Sequence, residues 1–485
     1  MIRSVLTSRY YKWWAFGAVA MGIFLTVLDQ ASLNIAIPEM ATHFGTDIPT
    51  AQWVLLAYIL AISAVLMPVG RLSDIVGRKR VYIAGLGFLI VGGVLGFFAN
   101  SLSMVIILKA LQGVGNGMLT ANNMAILAAV FPPEERGKGM GLLNTTVGIG
   151  SIAGPTIGGQ LVTSFGWGSI FILTAAVGVI TVGTVYLILD EARIAPDRNS
   201  NTRLKFDWFG AGLSSAGLVF LLLALSFGES IGWMSVLVLG GIVGFVILFG
   251  GFIVWELKSR SPMLDLGLFR RKVFTLGIIT RGMGMLAGSP VAFLMPFYLQ
   301  GVLGYSAGQS GLIIVFNSAG MAAAAFICGN LSDRIGWKPF IAGGLGLITI
   351  GVAILSRLTP TSPPALAIGG LILAGVGQGM FISPNLNAVI GAVEREKHGV
   401  TTALVNLVRT ATNLIGVAVA TAIVTGMMVS RGVEPRLKAT GAEDASVASA
   451  FSGGMSIAYM VMAVCAFVGF VAAMLMKQRR EDIGR

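Results

Sequence analysis

Fourteen long apolar runs occupy most of this chain, and they constrain its fold more than any other feature. Each is close to the ~20 residues that an α-helix needs to cross about 30 Å of hydrocarbon. Hydrophobic residues make up 55% of the chain and charged residues only 11%, whereas soluble domains carry roughly 25% charged residues. We therefore expect an all-α membrane protein. The predicted spans are 14–36, 50–70, 81–98, 102–125, 138–162, 167–189, 208–226, 234–256, 273–299, 308–330, 339–356, 364–390, 399–428 and 454–476.

The basic residues predict how these spans are oriented. A net charge of +12 is compatible with nucleic-acid binding, but the Lys and Arg residues fall in short loops between the spans. With the N-terminus inside, most of them lie in inner loops such as 78–80 and 270–272, while the outer loop at 39–49 holds none. This asymmetry is typical of bacterial inner-membrane proteins with cytoplasmic termini. The first apolar run has no small-residue cleavage site after it, so we expect it to be retained as a span.

Enzymatic and metal-dependent functions find no support in the sequence. Cys328 and Cys465 each lie inside an apolar run, and His43 and His398 lie in loops on opposite sides of the predicted membrane. No Walker loop is present to bind ATP. We expect no enzyme, no cofactor, no metal and no nucleic-acid partner.

An internal repeat relates the two ends of the chain. The segment Gly70–Lys79 returns as Gly329–Lys338, and Gly113–Met118 returns as Gly375–Met380. Further matched pairs are Asn123 with Asn385, Asn144 with Asn406, and Gly154 with Gly416. Transporters built from such repeats bind substrate near the midplane, between the repeats. The predicted domains are a six-helix bundle at 1–190, a linker with two inserted helices at 191–272, and a second six-helix bundle at 273–485.

Three motifs resemble those of the major facilitator superfamily, in particular its fourteen-span drug:proton antiporters. Gly70–Lys79 fits the loop signature Gly-x-Leu-x-Asp-x-x-Gly-Arg-Lys, Leu28–Pro38 is similar to the first-span motif, and Gly150–Gly159 resembles the antiporter motif of span 5. The resemblance covers nearly the whole chain. It implies the major facilitator fold, with two pseudo-symmetric six-helix bundles plus two inserted helices, and proton-coupled export of amphiphilic small molecules.

The same resemblance assigns roles to motif residues. An inner gate would comprise Gly70, Asp74, Gly77, Arg78 and Lys79, with Asp333 and Gly336 in the second half. The antiporter motif would comprise Gly150, Gly154, Pro155, Gly158 and Gly159, as a kinked, thin helix that lets its neighbour slide. A purely topological loop and an ordinary packing kink are the alternatives.

The sequence departs from the family pattern at three places. Lys109 stands where span 4 usually has Arg, Trp167-Gly168-Ser169 replaces Trp-Arg-Trp, and Ala31-Ser32 replaces Thr-Ile in the first span. Lys is a point charge, whereas Arg is a permanently charged fork. These departures leave the usual coupling network and the substrate range open.

Asp29 is the candidate proton carrier, because it is the only acidic residue deep inside a predicted span. A carboxylate there can bind and release a proton as its surroundings change. Lys109 lies on a span that we expect to face the same cavity and to tune Asp29, while Arg409 matches an arginine common in the family and is expected to serve structure or coupling. The alternative is that Asp29 only pairs with a structural partner.

Candidate substrate contacts are polar and aromatic residues in spans near the repeat interface. They are Asn34, Gln52, Tyr58, Asn122, Asn123, Tyr298, Gln300, Asn317 and Asn385. Arg281 would meet an anionic substrate group or a lipid head group. The partners would be a small amphiphilic substrate and membrane lipids, with the chain acting as a monomer.

Two alternatives to a broad exporter remain open at this point. A dedicated exporter or flippase for one cell-made lipid, siderophore or antibiotic is slightly favoured by Lys109 and by the scarcity of membrane acids. A non-transporting receptor or scaffold on the same fold is opposed by the complete repeat.

Overall fold

The computed structural model describes residues 10–132, 135–194, 208–258, 266–394, 398–437 and 445–477. Within these ranges the chain is helical and contains no strand. The long helices are α1 (Tyr11–His43), α2 (Trp53–Val76), α3 (Arg78–Phe97), α4 (Leu102–Val130), α5 (Arg136–Ala153), α6 (Ser169–Ile188), α7 (Trp208–Ile231), α8 (Val236–Lys258), α9 (Lys272–Phe297), α10 (Ala307–Ile335), α11 (Lys338–Leu355), α12 (Pro364–Gly391), α13 (His398–Ser430) and α14 (Ala445–Leu475). The prediction of an all-α protein is confirmed.

Twelve helices among the described residues are long and apolar enough to cross a membrane, which is two fewer than predicted. The twelve omit α5 and α7. α5 is interrupted at Gly154–Gly158 by a π-helical turn, and a short helix, Gly159–Phe165, follows it. α7 includes side chains outside the described residues. The predicted count of fourteen spans is therefore not supported by the described part of the chain.

The first compact unit comprises residues 1–36 and 53–208. In it α4 packs against α2 and α3, and α3 also packs against α6. α3 and α4 approach closely where Gly85 meets Gly115: a Cβ atom at Gly115 would lie 2.5 Å from the Gly85 carbonyl oxygen. Small residues bring membrane helices into contact in this way, because side chains no longer hold the backbones apart.

The second compact unit comprises residues 37–52 and 209–485. α12 packs against α10 and α11, and α9 packs against α13 and α14. A Cβ atom at Gly377 would lie 2.5 Å from the Gly344 carbonyl oxygen, which repeats the contact of Gly115 with Gly85. The sequence repeat thus corresponds to the same close helix packing in each unit. The three-part division at 190 and 272 stays a prediction.

Both units also repeat a helix–turn–helix corner. α2 ends before Gly77, which has φ +114°, and α10 ends before Gly336, which has φ +99°. Only glycine adopts such angles without strain, so these two glycines allow the chain to turn directly into the next helix. The corners place the two loop motifs at equivalent positions in their units.

Candidate functional site

The first unit encloses an ion pair between two of its helices. Lys109 Nζ donates a hydrogen bond of 2.9 Å to Asp29 Oδ1, and both side chains are completely buried. Thr174 Oγ1, from α6, donates to the same carboxylate oxygen at 2.7 Å. The structure therefore joins Asp29 on α1 to Lys109 on α4, as the sequence predicted. Their roles in proton coupling stay a prediction.

Aromatic side chains surround this ion pair. Lys109 Nζ lies 4.6 Å from the ring centroid of Phe171 and 5.7 Å from that of Tyr58. The Tyr58 hydroxyl accepts a hydrogen bond of 2.6 Å from Asn116 Nδ2 and lies beside Asp29. The second carboxylate oxygen, Asp29 Oδ2, is buried and accepts no hydrogen bond from the described residues. One carboxylate oxygen of Asp29 thus accepts from both Lys109 and Thr174.

Several residues in this region have no distinguishing feature in the sequence. Thr174 and Phe171 lie in an apolar run without charges, where only the depth and rotation of α6 bring them to Asp29. Glu256 is a further buried acidic residue, which the sequence analysis did not single out. It lies near the end of α8 and is only 3% exposed.

Glu191 holds the loop between α2 and α3. Its carboxylate accepts hydrogen bonds from the backbone N–H groups of Arg78 at 2.8 Å and Lys79 at 2.9 Å. These N–H groups begin α3, where the helix dipole favours negative charge. A side chain at Gly77 would collide with the Glu191 carboxylate, since a Cβ atom there would lie 2.9 Å from it. The glycine therefore makes room for this cap.

The basic side chains of the loop bind backbone carbonyl groups. Arg78 Nη1 donates to the carbonyl oxygens of Ala125 at 3.0 Å and Ile194 at 3.1 Å, and so links α3 to α4 and to the segment after α6. Lys79 Nζ donates to the carbonyl oxygen of Tyr186 at 2.9 Å. The side chains of Asp74 and Asp333 lie outside the described residues. A gating role for these residues, and for Gly70 and Gly336, stays a prediction.

A π-helical turn lies at Gly154–Gly158, within the predicted antiporter motif of span 5, and the sliding role of this motif stays a prediction. Pro155 lacks an N–H group, which favours such a break in the hydrogen-bond ladder. The turn packs closely on α1: Ser32 Oγ donates to the Gly154 carbonyl oxygen at 3.1 Å, and a Cβ atom at Gly158 would lie 2.5 Å from Ser32 Oγ. Gly150 and Gly159 flank it, with Gly150 against Val27.

The candidate substrate residues of the first unit make contacts between and within helices. Asn123 Oδ1 accepts from the Tyr82 hydroxyl at 3.0 Å, and Asn122 Nδ2 donates to the Met118 carbonyl oxygen at 2.8 Å. The carbonyl oxygens of the Asn122 and Asn34 side chains are buried and have no partner among the described residues. A substrate role for these residues stays a prediction.

Several candidate substrate residues of the second unit donate to backbone carbonyl groups of neighbouring segments. The Tyr298 hydroxyl donates to the Thr359 carbonyl oxygen at 2.7 Å, Asn317 donates to Leu371 at 3.0 Å, and Asn385 donates to Gly277 at 3.0 Å. Gln52 and Gln300 are buried. A substrate role for these residues stays a prediction.

Two arginines of the second unit lie on adjacent helices. Arg281, on α9, is only 5% exposed and donates from Nη1 to the Ile382 carbonyl oxygen at 3.0 Å. Arg409, on α13, is exposed. α9 and α13 pack against each other.

Comparison with known proteins identifies a family and relatives that are similar to this chain. The family model described as Major Facilitator Superfamily matches residues 19–417. The riboflavin transporter RibZ of Clostridioides difficile (strain 630) is 33% identical over 393 residues, which cover 80% of this chain and 83% of RibZ. The multidrug resistance protein Stp of Mycobacterium tuberculosis (strain CDC 1551 / Oshkosh) is 29% identical over 422 residues, covering 87% of this chain and 77% of Stp.

The fold is shared with solved structures. The crystal structure of a bacterial homolog to the human lysosomal transporter Spinster, in an inward-facing and unoccupied conformation, superposes with a TM-score of 0.69. The match covers 96% of this chain and 98% of that one, at 17% sequence identity. Identity at this level shows a common fold.

Proposed function

Since the chain belongs to the Major Facilitator Superfamily and is a membrane transporter rather than an enzyme, we propose that it exports amphiphilic small molecules in exchange for protons. In this proposal it is a fourteen-span drug:proton antiporter that works by alternating access. Relatives named as multidrug transporters, at about 29% identity, support the substrate class.

The buried pair of Asp29 and Lys109 is the observation that carries the proposal. A proton that enters from outside adds to the carboxylate and releases Lys109 from its partner, because the attraction between them depends on the carboxylate charge. Lys109, Thr174 and the aromatic rings would then repack, and the unit would favour a different helix arrangement. Release of the proton inside restores the pair. Protonation is in this way linked to conformation, which is what antiport requires.

The energetics are adequate for this mechanism. One charge that moves through 100 mV of membrane potential contributes about 2.3 kcal/mol, and about 1.4 kcal/mol corresponds to a tenfold concentration ratio. A single proton would therefore sustain a substrate gradient of roughly fortyfold from the potential alone. One carrier such as Asp29 suffices for a one-proton cycle.

The proposal includes a membrane topology. α5 with its π-helical turn and α7 would span the bilayer together with the twelve long apolar helices, with both termini in the cytoplasm. The distribution of Lys and Arg among the loops supports this orientation. We expect the protein to be a monomer in the bacterial inner membrane.

Reconstitution into proteoliposomes tests the coupling. With a pH-sensitive dye inside the wild-type proteoliposomes, an amphiphilic substrate added outside should enter in exchange for internal protons and raise the internal pH. Asp29→Asn should abolish this proton flux. Asp190→Asn is a matched control, because it neutralises an aspartate near the end of α6 that the proposal gives no role. Coupled flux that survives in Asp29→Asn would exclude Asp29 as the proton carrier.

A second candidate is a dedicated exporter of one cell-made molecule. Lys109 in place of the usual arginine favours it, and so does the relative named a riboflavin transporter, at 33% identity. Competition separates the two functions. Chemically unrelated amphiphiles should inhibit one another's transport in a broad exporter, whereas a dedicated exporter should respond to one scaffold only.

A further inference from the structure

Helices α9 to α14 of the second unit carry two arginines far from their helix ends and have little acidic charge to neutralise them. Arg281 lies nine residues after the start of α9, and Arg409 lies eleven residues after the start of α13. At 1.5 Å per residue these positions are about 14 and 17 Å along their helices. Across the sequences of α9 to α14 the one acidic residue is Asp333, in the last turn of α10. Charges at membrane depth are costly and are normally paired.

The two arginines lie at the same level of the α9–α13 contact. A methyl group at Gly282, next to Arg281, would touch Thr412 Cγ2 at 3.4 Å and Val408 Cγ1 at 3.6 Å. Those two residues flank Arg409. Ser289 Oγ also donates to the Asn413 carbonyl oxygen at 3.1 Å, about two turns beyond Arg281 on α9 and one turn beyond Arg409 on α13. Arg409 is accordingly the charged group whose repulsion acts on Arg281.

Arg281 is held by groups that leave its charge uncompensated. Its Nη1 donates to the Ile382 carbonyl oxygen, and its guanidinium carbon lies 5.9 Å from the ring centroid of Phe381. Its Nε is buried and has no hydrogen-bond partner among the described residues. A carbonyl oxygen and a ring face orient a guanidinium group but do not neutralise it. The buried donor at Nε is therefore open to an acceptor.

Arg409 makes no side-chain hydrogen bond or ion pair within the described part of the chain, and its side chain is exposed. A charged side chain midway along an apolar membrane helix faces a water-filled space or the bundle interior rather than lipid, because the cost in hydrocarbon is too high. An anion that arrives through water can therefore reach Arg409, and Arg281 lies behind it at the same level.

We propose that Arg281 and Arg409 together bind one anionic group, such as a carboxylate, phosphate or sulfonate, on the transported amphiphile. Guanidinium groups bind such groups through paired N–H donors, which favour them over halide ions and over neutral head groups. The inference rests on the export function proposed above and adds the charge of the substrate. It also predicts that this protein discriminates against cationic amphiphiles, since the one carboxylate in the sequences of α9 to α14 is Asp333, near the end of α10.

A pair of fluorescent probes tests this inference in the purified full-length protein. The probes are 8-anilino-1-naphthalenesulfonate and its neutral counterpart N-phenyl-1-naphthylamine, which share the ring system and differ by the sulfonate. Wild type should bind the sulfonate at least tenfold more tightly than the neutral probe. Arg281→Gln and Arg409→Gln should each weaken the sulfonate tenfold or more and leave the neutral probe within twofold. Arg281→Lys should retain part of the preference.

Arg357→Gln is the matched control, because it removes an exposed arginine of the same unit that follows α11. It should change neither affinity. Equal wild-type affinities for the two probes, or equal losses of both probes in the arginine variants, would overturn the inference. If Arg281→Gln does not fold, Arg409→Gln decides the outcome, since it alters an exposed side chain.

The anionic group has two possible sources, and a competition arm separates them. Phosphatidylglycerol that displaces the sulfonate probe from wild type would identify a lipid phosphate as the occupant. Retention of the probe in nanodiscs that contain phosphatidylglycerol would identify a solute anion. The binding assay needs no proton gradient, so it is independent of the coupling experiment. Sulfonate preference without any proton flux would reject the proposed antiport and leave this inference standing.

Discussion

Lys109 Nζ lies 2.9 Å from Asp29 Oδ1, and neither side chain is accessible to solvent. Residues 80 positions apart in the sequence therefore neutralise each other inside the first unit. A buried pair of this kind contributes little net stability, because desolvation of both charges offsets their attraction. Removal of one partner is costly, since it strands the other charge. The antiport cycle that we propose would use this asymmetry.

Lys109→Met should destabilise the protein by about 3–5 kcal/mol, because it leaves the Asp29 carboxylate without a counter-charge. The double variant Asp29→Asn with Lys109→Met should recover most of that stability but transport no protons. Thermal unfolding in detergent and dye-reported proton flux measure the two effects. If Lys109→Met is as stable as wild type, the ion pair is not buried as described.

Glu191→Ala should destabilise the protein by about 1–2 kcal/mol, because two backbone N–H groups at the start of α3 lose a charged acceptor. Glu191→Gln should lose about half as much, since an amide oxygen still accepts one hydrogen bond. Asp190→Asn serves as the control: at the surface, the Asp190 carboxylate accepts from Ala192 N at 3.1 Å and pairs with Arg193 Nε at 3.8 Å. Chemical unfolding would measure all three, and equal effects at positions 190 and 191 would refute the capping role.

Gly77→Ala should destabilise the protein by about 1–3 kcal/mol, because φ +114° is strained for any residue with a side chain. The new methyl group would also push the Glu191 carboxylate away from its hydrogen bonds. Gly70→Ala, in the same motif, should be neutral or stabilising by up to about 1 kcal/mol, because its surroundings are open and it lies inside α2. Thermal unfolding of the two variants measures both effects. Equal losses of stability at Gly70 and Gly77 would contradict the explanation from the backbone angle and the Glu191 contact.

Gly158→Ala should destabilise the contact between α1 and the π-helical turn by about 1–3 kcal/mol, because Ser32 has to move to admit the methyl group. We also expect slower transport if these helices slide during the cycle. Gly183→Ala is the control, since nothing lies within 4 Å of the new atom on α6. Stopped-flow substrate efflux alongside unfolding measures both effects. Identical behaviour of the two variants would contradict the close packing.

Several site features could be read from the sequence because they are chemically rare in it. Asp29 stands out as an acid in an apolar run, and Lys109 as a base in another, so their pairing could be predicted from the need to neutralise buried charge. The kink at Pro155 follows from the missing N–H group. Each inference uses the properties of one residue or one short segment.

The partners of common residues could not be read in this way. Tyr298 and Asn317 look like substrate ligands in the sequence. In the structure their side chains donate hydrogen bonds to the carbonyl oxygens of Thr359 and Leu371. Thr174 looks like an ordinary helix threonine, yet it donates to Asp29 from 145 residues away. The hydrogen-bond partner of one hydroxyl or amide group in an apolar helix cannot be predicted from its residue type or its neighbours in sequence.

The sequence by itself determined that the chain is a helical membrane protein with an internal repeat. Transfer of a segment into lipid depends on its own side chains, and a backbone in lipid must satisfy its hydrogen bonds within its own helix. Only the tertiary structure decided that Glu191 caps α3, that Thr174 donates to Asp29, and that the helices of Arg281 and Arg409 pack against each other. Those contacts depend on the depth and rotation of each helix against its neighbours. Packing among many similar apolar surfaces sets both quantities, and no local stretch of sequence specifies them.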